Sequence, residues 1–366
     1  MKRKRIICFH LFNDYSGSPK VLREVLEGLL YKGNHVELIS TRGGTLDTVV
    51  HPALTRRHYR YAFSTSALTT MLRYTAAQVL TFLMALKYTF RSDTVFYINT
   101  ILPIGPALAG RLTGKKVVYH YHENAYMKGL FYRILAVAMQ RLAHRIICVS
   151  EYQASFLKRR RGVTVIPNAL SPGFVKLLKP EPDKAFSRRT VLMLSSLKTY
   201  KGTREFIGLA SKLPDIKFVL VINDLQQAID RWIADEKINV PANVTIHPRT
   251  SGVSTFYNKA SLVLNLSDPR QVVETFGLTA LEAMSCALPV IVPPVGGIAE
   301  MVTDGVNGYR IDCSDTYMLT KAINDILDNR ELYMSLSKGA LATSRKFSRE
   351  SMINNIQTII TEISDI

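Results

Sequence analysis

The chain has 366 residues, 47% of them hydrophobic, which is enough for two globular domains that fold without stabilising disulfides. Its four cysteines lie far apart with no Cys-x-x-Cys spacing, which excludes a disulfide-rich or zinc-ribbon fold and favours a cytosolic protein. The net charge is +18, and residues 1–180 hold 27 Lys and Arg against 8 Asp and Glu. Since no nucleic-acid-binding motif is present, we expect an anionic membrane surface, and not nucleic acid, as a partner of this basic half.

The first segment predicts a strand, a loop and a helix. A basic prefix precedes an apolar run over residues 6–12, which lacks the cleavage site of a signal peptide, so we interpret residues 6–11 as a buried strand. A helix over residues 20–30 follows, and Pro19 suits its first turn. The loop then offers free N–H groups from Gly17 onward at the carboxyl end of a strand, where doubly wound folds bind ligands. A plain tight turn is the alternative for Gly17.

The next stretch carries two features that a membrane could explain. Residues 51–66 interleave basic and aromatic side chains, which indicates either contact with a membrane interface or a solvated loop. Residues 67–90 are strongly apolar but are interrupted by Arg73, Gln78 and Lys87. They fall short of the about 20 apolar residues of a spanning segment, so we expect a buried or interfacial helix.

The rest of the first half continues with alternating strands and helices. We predict strands over residues 35–40, 94–98, 117–122, 145–150 and 163–167, and helices over residues 103–112 and 126–143. His122 ends one of these strands and shares a face with His120. It is a candidate ligand contact, with a packed histidine as the alternative, whereas His120 is expected to be structural. Prolines 172, 180 and 182 mark a linker over residues 173–187, between domains at 1–172 and 188–345.

The second half has the same alternation. Strands are predicted over residues 190–194, 218–222, 244–247, 261–266 and 290–292, with a helix over about 277–286. Strand, loop, helix and strand in this order are the unit of a parallel α/β sheet.

Two glutamates flank the start of the helix at 277–286. Glu274 and Glu282 lie about 12 Å apart along a helix, too far to act as acid and base on one small group. The separation suits the two ends of a long ligand, such as a sugar and a ribose. Four backbone N–H groups lie at the start of this helix, those of Thr275, Phe276, Gly277 and Leu278. They point at an anion, and the missing Cβ of Gly277 allows close approach, so this stretch predicts a diphosphate site.

The same residues resemble a known signature. Glu274 and Glu282 with seven residues between them, then Pro289-Val290-Ile291 and Gly296-Gly297-Ile298, resemble glycosyltransferase family 4, closely in the second half and loosely in the first. The resemblance implies the GT-B fold, two Rossmann-like, doubly wound α/β domains facing across a cleft. It further implies that the first domain binds the acceptor, the second binds the nucleotide sugar, and a helix over 349–366 packs back onto the first.

The resemblance also implies roles for single residues. In the family an arginine and a lysine bind the donor diphosphate; Lys201 matches the lysine, and Ser196 stands where the arginine is expected. The Gly17 loop corresponds to the glycine-rich loop that faces the donor phosphate and the acceptor, here with Ser-Gly-Ser in place of the glycine pair. His122 is the closest match to a histidine that contacts the donor sugar. Glu274 and Glu282 would hold the sugar and the ribose hydroxyls, respectively.

These patterns together give a functional prediction. No Asp-x-Asp and no cluster with metal-ligand spacing occurs in the sequence, so we expect neither a metal nor a cofactor. We predict a retaining transfer of sugar from a UDP- or GDP-sugar to a lipid-linked glycan of an envelope polysaccharide, such as capsule or lipopolysaccharide. The protein would be peripheral at the inner face of the cytoplasmic membrane. The alternatives are a non-catalytic nucleotide-sugar or polyanion-binding protein, which Ser196 and the Gly17 loop favour, and an epimerase or phosphorylase on the same fold.

Overall fold

The chain forms two compact units. The structure, a computed structural model, describes residues 4–364; unit 1 comprises residues 4–169 and 349–364, and unit 2 comprises residues 170–348. Each unit is built around one parallel β-sheet.

Strands and helices alternate along nearly the whole of the described chain. The strands are β1 (Arg5–Phe9), β2 (His35–Ser40), β3 (Leu54–His58), β4 (Thr94–Asn99), β5 (Lys116–Tyr121), β6 (Arg145–Cys148), β7 (Val163–Val165), β8 (Thr190–Ser195), β9 (Lys217–Ile222), β10 (Val244–His247), β11 (Leu262–Leu264), β12 (Val290–Val292) and β13 (Gly308–Arg310). The α-helices are α1 (Gly17–Tyr31), α2 (Ala67–Leu86), α3 (Ile104–Leu112), α4 (Leu130–Leu142), α5 (Glu151–Ser155), α6 (Pro172–Val175), α7 (Pro182–Arg188), α8 (Thr203–Lys212), α9 (Gln226–Asp235), α10 (Ser254–Tyr257), α11 (Leu278–Ser285), α12 (Gly297–Glu300), α13 (Thr316–Asp328), α14 (Arg330–Ser344) and α15 (Arg349–Ser364).

Both sheets are doubly wound. In unit 1 the strand order is β3-β2-β1-β4-β5-β6-β7, so the chain winds outward from β1 in one direction and from β4 in the other. In unit 2 the order is β10-β9-β8-β11-β12-β13, and the winding reverses between β8 and β11. Ligands of open α/β sheets bind outside the carboxyl ends of the two strands where the winding reverses. The predicted doubly wound α/β fold is confirmed, and its topology points to one such place in each unit.

Continuous apolar runs explain why the central strands form. Residues Ile6 to Phe9 of β1 and all of β12 are buried, as expected for parallel strands that helices cover on both faces. The terminal helix α15 packs on α1, where Arg349 Nε donates to Glu24 Oε2 at 2.6 Å. Gly28 of α1 makes this packing close, because a Cβ there would lie 2.5 Å from Ile353 Cγ1.

The strand β3 differs from the sequence interpretation. Residues 51–66 were expected to contact a membrane or form a solvated loop, but Leu54–His58 pairs with β2 as the edge of the sheet. An edge strand exposes alternate residues, so cations fit there without disturbing the pairing. Arg57 of this strand pairs with the buried carboxylate of Glu37 on β2.

Candidate active site

Two loops of unit 2 meet where its winding reverses. One follows β8 and leads through a 3₁₀ turn (Thr199–Lys201) into α8; the other follows β11 and leads into α11. Gly202 sits at the contact with φ +70°, and a Cβ there would lie 2.2 Å from the carbonyl oxygen of Leu266. The backbone N–H of Asp268 also donates to the carbonyl of Tyr200 at 2.8 Å. The two loops therefore touch backbone to backbone, which only glycine at position 202 permits.

This contact brings Lys201 and Glu274 together. The Lys201 ammonium pairs with Glu274 Oε1, and Ser267 Oγ donates to the same oxygen at 3.0 Å. The two charged side chains are 27% and 21% exposed. Burial by itself would raise the pKa of Glu274, but the charge and hydrogen bond of Lys201, with hydrogen bonds from Ser267 and Asn265, hold that pKa below its usual value. Glu274 is therefore a carboxylate at neutral pH.

The pKa of Lys201 shifts in the direction that matches this pairing. Burial alone would lower it, yet the Glu274 charge and hydrogen bond outweigh burial and raise the pKa above the ordinary lysine value. Lys201 therefore stays an ammonium at neutral pH. An ammonium has three N–H donors, so pairing with one carboxylate oxygen leaves it able to bind an anion as well.

The Gly296–Gly297 turn fixes the loop that carries Glu274. The N–H of Gly297 donates to the carbonyl of Glu274 at 2.9 Å. Gly296 has φ +114°, and a Cβ there would lie 2.5 Å from the same carbonyl oxygen. Gly277 has φ +93° and faces Ile298, whose Cγ1 would lie 2.4 Å from a Cβ at position 277. The two glycine-containing motifs noted in the sequence are therefore packed against each other.

The helix α11 begins beside Glu274. The backbone N–H groups of Phe276, Gly277 and Leu278 donate to no group within residues 4–364. The side chain of Phe276 is buried against Phe347, at 5.7 Å between ring centroids, so only its backbone is offered to a ligand. Three N–H groups at the positive end of a helix dipole form an anion-binding arrangement. The half-buried Thr275 lies in the same loop.

Glu282 is held one turn further along α11. Tyr257 of α10 donates its phenolic O–H to Glu282 Oε2 at 2.5 Å. Burial, and then the Glu282 charge, raise the pKa of Tyr257 well above its ordinary value, so the phenol remains a donor. The carboxylate of Glu282 is thereby fixed in orientation on the helix.

Ser196 occupies the β8 loop where the family resemblance predicts an arginine. Its side chain is half-buried, and the neighbouring Ser195 donates its hydroxyl to the carbonyl of Lys201 at 3.3 Å. Two ammonium groups nearby, those of Lys198 and Lys201, lie 5.9 and 5.7 Å from the centre of the Tyr200 ring. The loop therefore carries its positive charge on lysines.

Unit 1 contains a second polar cluster where its own winding reverses. Asn99, the last residue of β4, accepts at Oδ1 from His122 Nε2 at 2.9 Å and donates through Nδ2 to His10 Nδ1 at 3.1 Å. The same Nδ2 lies 3.5 Å from the carbonyl of Ser18 in the first turn of α1. Asn99 therefore ties His122, the end of β1 and the start of α1 to one another. Thr100, which follows it, has φ +71°, a strained conformation that is found at functional sites.

The three histidines of this cluster are neutral at physiological pH. Burial lowers the pKa of His10 to about 4 and that of His120 to about 3. Burial, and then repulsion from His120 and His10, lower the pKa of His122 well below its ordinary value. The rings of His120 and His122 lie 4.1 Å apart, in keeping with the shared face expected from strand alternation. These imidazoles therefore act through hydrogen bonds and not through charge.

Gly17 is the first residue of α1 and is exposed. The preceding Ser16 does not cap the helix; instead its N–H and hydroxyl both donate to Asp14 Oδ1, at 3.0 and 2.6 Å. The N–H of Gly17 meets no acceptor within the part of the chain that the structure describes. Gly17 and His122 thus border one cluster through Ser18 and Asn99.

The structure groups the predicted residues by unit. In unit 2 the loops after β8 and β11, together with the start of α11, carry Ser196, Lys201, Glu274 to Leu278 and Glu282. In unit 1 the ends of β1, β4 and β5 carry Gly17 and His122. Sequence reasoning missed the residues that hold them: His10, Asn99, Tyr257, Asn265 and Ser267. Asn99 and Asn265 directly follow buried strand residues at the two reversals, and that position is a signal that could have identified them.

Within residues 4–364, no group of three or more His, Cys, Asp or Glu side chains is placed to hold a metal ion. None of the described helices is both long and apolar enough to cross a membrane.

Comparison with known families and structures gives a consistent result. The family model for glycosyltransferase family 4 matches residues 15–173, and the model for glycosyl transferases group 1 matches residues 176–342. An uncharacterized glycosyltransferase of Methanocaldococcus jannaschii is 29% identical over 226 residues, which are 60% of this chain and 60% of the relative. The chain thus aligns with less than two thirds of that relative's length.

Two other proteins match over more of the chain. The alpha-monoglucosyldiacylglycerol synthase of Acholeplasma laidlawii is 23% identical over 287 residues, which are 76% of this chain and 68% of that protein. The crystal structure of Anabaena HepE in complex with UDP and glucose superposes with a TM-score of 0.79 and 19% identity, covering 98% of this chain and all of the other. With two family models that together match most of its length and two doubly wound units, the chain belongs to the family 4 glycosyltransferases and has the GT-B fold.

Proposed function

We propose that the protein transfers a hexosyl group from a UDP- or GDP-sugar to a lipid-linked glycan, with retention of configuration and without a metal ion. The observation that carries the proposal is the Lys201–Glu274 pair beside the three free N–H groups at the start of α11. This arrangement puts an ammonium and a helix terminus next to a carboxylate. It matches a ligand with an anionic diphosphate joined to a sugar.

The diphosphate would bind to Lys201 and to the N–H groups of Phe276, Gly277 and Leu278. Bond breaking at the sugar leaves its electron pair on the diphosphate, so donors fixed in advance stabilise the leaving group. Each such donor contributes about 3 kcal/mol in comparable sites. The loop contact at Gly202 and the turn at Gly296 hold these donors in place before the substrate arrives.

Glu274 would act on the sugar. Its lowered pKa keeps it ionised, so it can accept hydrogen bonds from sugar hydroxyls and ease the positive charge that develops at the anomeric carbon. In the proposed reaction the bond from that carbon to the diphosphate oxygen breaks. The acceptor oxygen bonds to the same face, and its proton passes to the departing oxygen. Glu282, oriented by Tyr257, would hold the ribose hydroxyls, and His122, whose Nε2–H donates to Asn99, would accept a hydrogen bond from a sugar hydroxyl.

The relatives support the classes of donor and acceptor. HepE was solved with UDP and glucose, which favours a uridine nucleotide, and the Acholeplasma relative is named for a glucosylated diacylglycerol. The basic charge of residues 1–180 adds support for a phosphate-bearing, lipid-linked acceptor at the inner face of the cytoplasmic membrane. Such acceptors serve in envelope polysaccharide synthesis, the process to which we assign the protein.

The test is turnover of UDP- and GDP-hexoses with a bacterial lipid extract as acceptor. We expect release of the nucleoside diphosphate, a product with the anomeric configuration of the donor, and rates that a chelator leaves unchanged. Glu274→Gln should lower the rate about a hundredfold or more. It should keep UDP binding by thermal shift, and the exposed Asp235→Asn serves as the matched control. Full activity in Glu274→Gln, or loss of turnover with a chelator, would contradict the proposal.

Ser196 favours one alternative, a non-catalytic nucleotide-sugar-binding protein on the same fold. A loop without the arginine offers the diphosphate less charge. Binding of UDP-sugars without release of UDP in the same assay would identify that alternative. A Ser196→Arg variant that gains turnover would show that the missing cation is the cause.

A further inference from the structure

Three neighbouring helices of unit 1 expose large apolar side chains. Leu68, Leu72 and Leu83 of α2, Leu112 of α3, and Leu130 and Ile134 of α4 are each more than half exposed; we call these six residues the apolar face. The exposed fraction is 71% for Leu68 and 74% for Leu130. A soluble protein rarely leaves so many large apolar side chains together in water.

The three helices that carry the apolar face are neighbours, because α3 packs against both α2 and α4. Within α2 the opposite side supplies the core contacts, where Tyr74, Ala77 and Ala85 are buried. Leu68 and Leu83 are 15 residues apart on α2, so the exposed leucines of this helix are spread over about 22 Å of its axis. Packing within unit 1 therefore accounts for the apolar residues on the buried side of these helices. It does not account for the large apolar side chains on their exposed side.

The charges in the segment that carries the apolar face are mostly positive. Residues 48–150, which contain all three helices, hold 13 Lys and Arg but only two acids, Asp93 and Glu123. The exposed cations Arg73 and Lys87 lie in or just after α2, and Arg133 lies on α4. Long basic side chains can lay their stems on apolar surface while their heads reach phosphate. Apolar side chains with a cationic surround are the pattern of a helix face that lies in the interface of an anionic bilayer.

We infer that the apolar face is a docking surface for anionic phospholipid, on which unit 1 rests with α2, α3 and α4 in the headgroup layer. A second copy of the chain fits less well, because two such faces would bring many cations together with no acid on α2, α3 or α4 to offset them. Nucleic acid would leave the apolar side chains uncovered. This inference rests on the membrane location in the proposed function and names the surface that would provide it, while its test, vesicle binding, is separate from the test of sugar transfer.

The test is flotation of the full chain with vesicles of phosphatidylcholine, with or without phosphatidylglycerol. We expect binding only when phosphatidylglycerol is present. The variant Leu72→Gln/Leu83→Gln/Ile134→Gln should bind more than tenfold more weakly, because it removes apolar burial at exposed positions that do not support the core. Arg73→Gln/Lys87→Gln/Arg133→Gln should bind roughly fivefold more weakly for each cation removed.

Matched controls come from unit 2, where Leu177, Leu225 and Tyr317 are also more than half exposed. Their joint replacement by Gln should leave flotation unchanged. Equal flotation with neutral vesicles, or wild-type flotation of the apolar-face variant, would overturn the inference. A dimer in sedimentation velocity that the apolar-face variant abolishes, without vesicle binding, would assign the face to a second copy instead. The catalytic variant Glu274→Gln should float like the wild type, which separates docking from transfer.

Discussion

The carboxylate of Glu274 accepts a hydrogen bond from the ammonium of Lys201, although 73 residues separate them along the chain. Each residue lies in a loop after a strand, Lys201 after β8 and Glu274 after β11, and these strands are neighbours where the sheet reverses its winding. Neither local sequence indicates the pair. The topology of the sheet brings the two groups together, and the close contact at Gly202 fixes their separation.

The first prediction concerns the energy of this pair. Lys201→Met should destabilise unit 2, because it leaves the Glu274 carboxylate without its main counter-charge. The double variant Lys201→Met/Glu274→Gln should recover part of that loss. We expect a coupling free energy of about 1 to 2 kcal/mol, since the side chains remain partly exposed to solvent.

Guanidinium unfolding of the wild type, both single variants and the double variant measures the coupling. The exposed pair Lys321–Asp325 on α13 provides the control cycle, in which we expect less than about 0.5 kcal/mol. Additive effects of Lys201→Met and Glu274→Gln would contradict the pairing seen in the structure.

The second prediction separates two glycines in and near the same loop. Gly202→Ala should destabilise unit 2 by more than about 2 kcal/mol and weaken UDP binding, because its Cβ would meet the carbonyl oxygen of Leu266. Gly208→Ala is the matched control: Gly208 lies within α8, and a Cβ there meets nothing within 4 Å. It should stabilise the helix by about 0.5 to 1 kcal/mol. Thermal unfolding with and without UDP measures both the stability of each variant and its binding of UDP. If Gly202→Ala changed neither, the contact between the two loops would have to relax around the added methyl group.

The sequence predicted much of the fold because the buried strands are short apolar runs. His35–Ser40, Val244–His247 and Val290–Val292 were predicted to the residue. The edge strand β3 was missed, since its Arg56 and Arg57 made it look like a basic surface segment. Edge strands carry less hydrophobic signal than central ones, so composition misleads there.

The candidate site was only partly predictable for a similar reason. Residues such as Glu274 and Lys201 stand in motifs with a recognisable spacing, whereas the residues that orient them do not. Tyr257 reaches Glu282 from another helix, and Asn99 reaches His10 and His122 from another strand. Contacts of this kind depend on tertiary packing, and a single sequence gives no distance between distant residues.

The third prediction concerns Asn99 as the residue that positions His122. Since Asn99 Oδ1 accepts from His122 Nε2, the asparagine sets both the tautomer and the orientation of the imidazole. Asn99→Ala should therefore lower transfer about as much as His122→Ala, and the double variant should lose little more. The rates of UDP release by the wild type, the two single variants and the double variant give the coupling free energy between Asn99 and His122. The KM for the donor is measured separately.

The half-buried Asn258, whose side chain accepts from the N–H of Lys179 and donates to the carbonyl of Leu177, is the matched control for Asn99. Asn258→Ala should affect stability but not the rate at saturating donor. Full additivity of Asn99→Ala and His122→Ala would show that the hydrogen bond does not act through the histidine.

The fourth prediction is a loss of stability in mild acid that comes from the buried histidines. The pKa of His10 is lowered to about 4 and that of His120 to about 3, whereas an unfolded histidine has a pKa of about 6.5. Below pH 6.5 the unfolded chain binds protons that the folded imidazoles do not accept, so the free energy of unfolding falls. The slope is about 1.4 kcal/mol per pH unit for each histidine until the folded pKa is reached. Burial raises the pKa of Glu123, which opposes this trend because the folded carboxyl takes up its proton first.

A variant isolates the histidine contribution. His120→Asn keeps a hydrogen-bonding atom near Tyr97, which contacts His120 Nδ1 at 2.7 Å, and removes the titrating ring. Since Glu123 is present in both proteins, its effect cancels in the comparison. Between pH 6.5 and 5, the slope measured by guanidinium unfolding should be shallower for His120→Asn by about 1 kcal/mol per pH unit, since the unfolded histidine is only half protonated at pH 6.5. Equal slopes would require that His120 takes up its proton in the folded state, which its complete burial beside two further neutral imidazoles opposes.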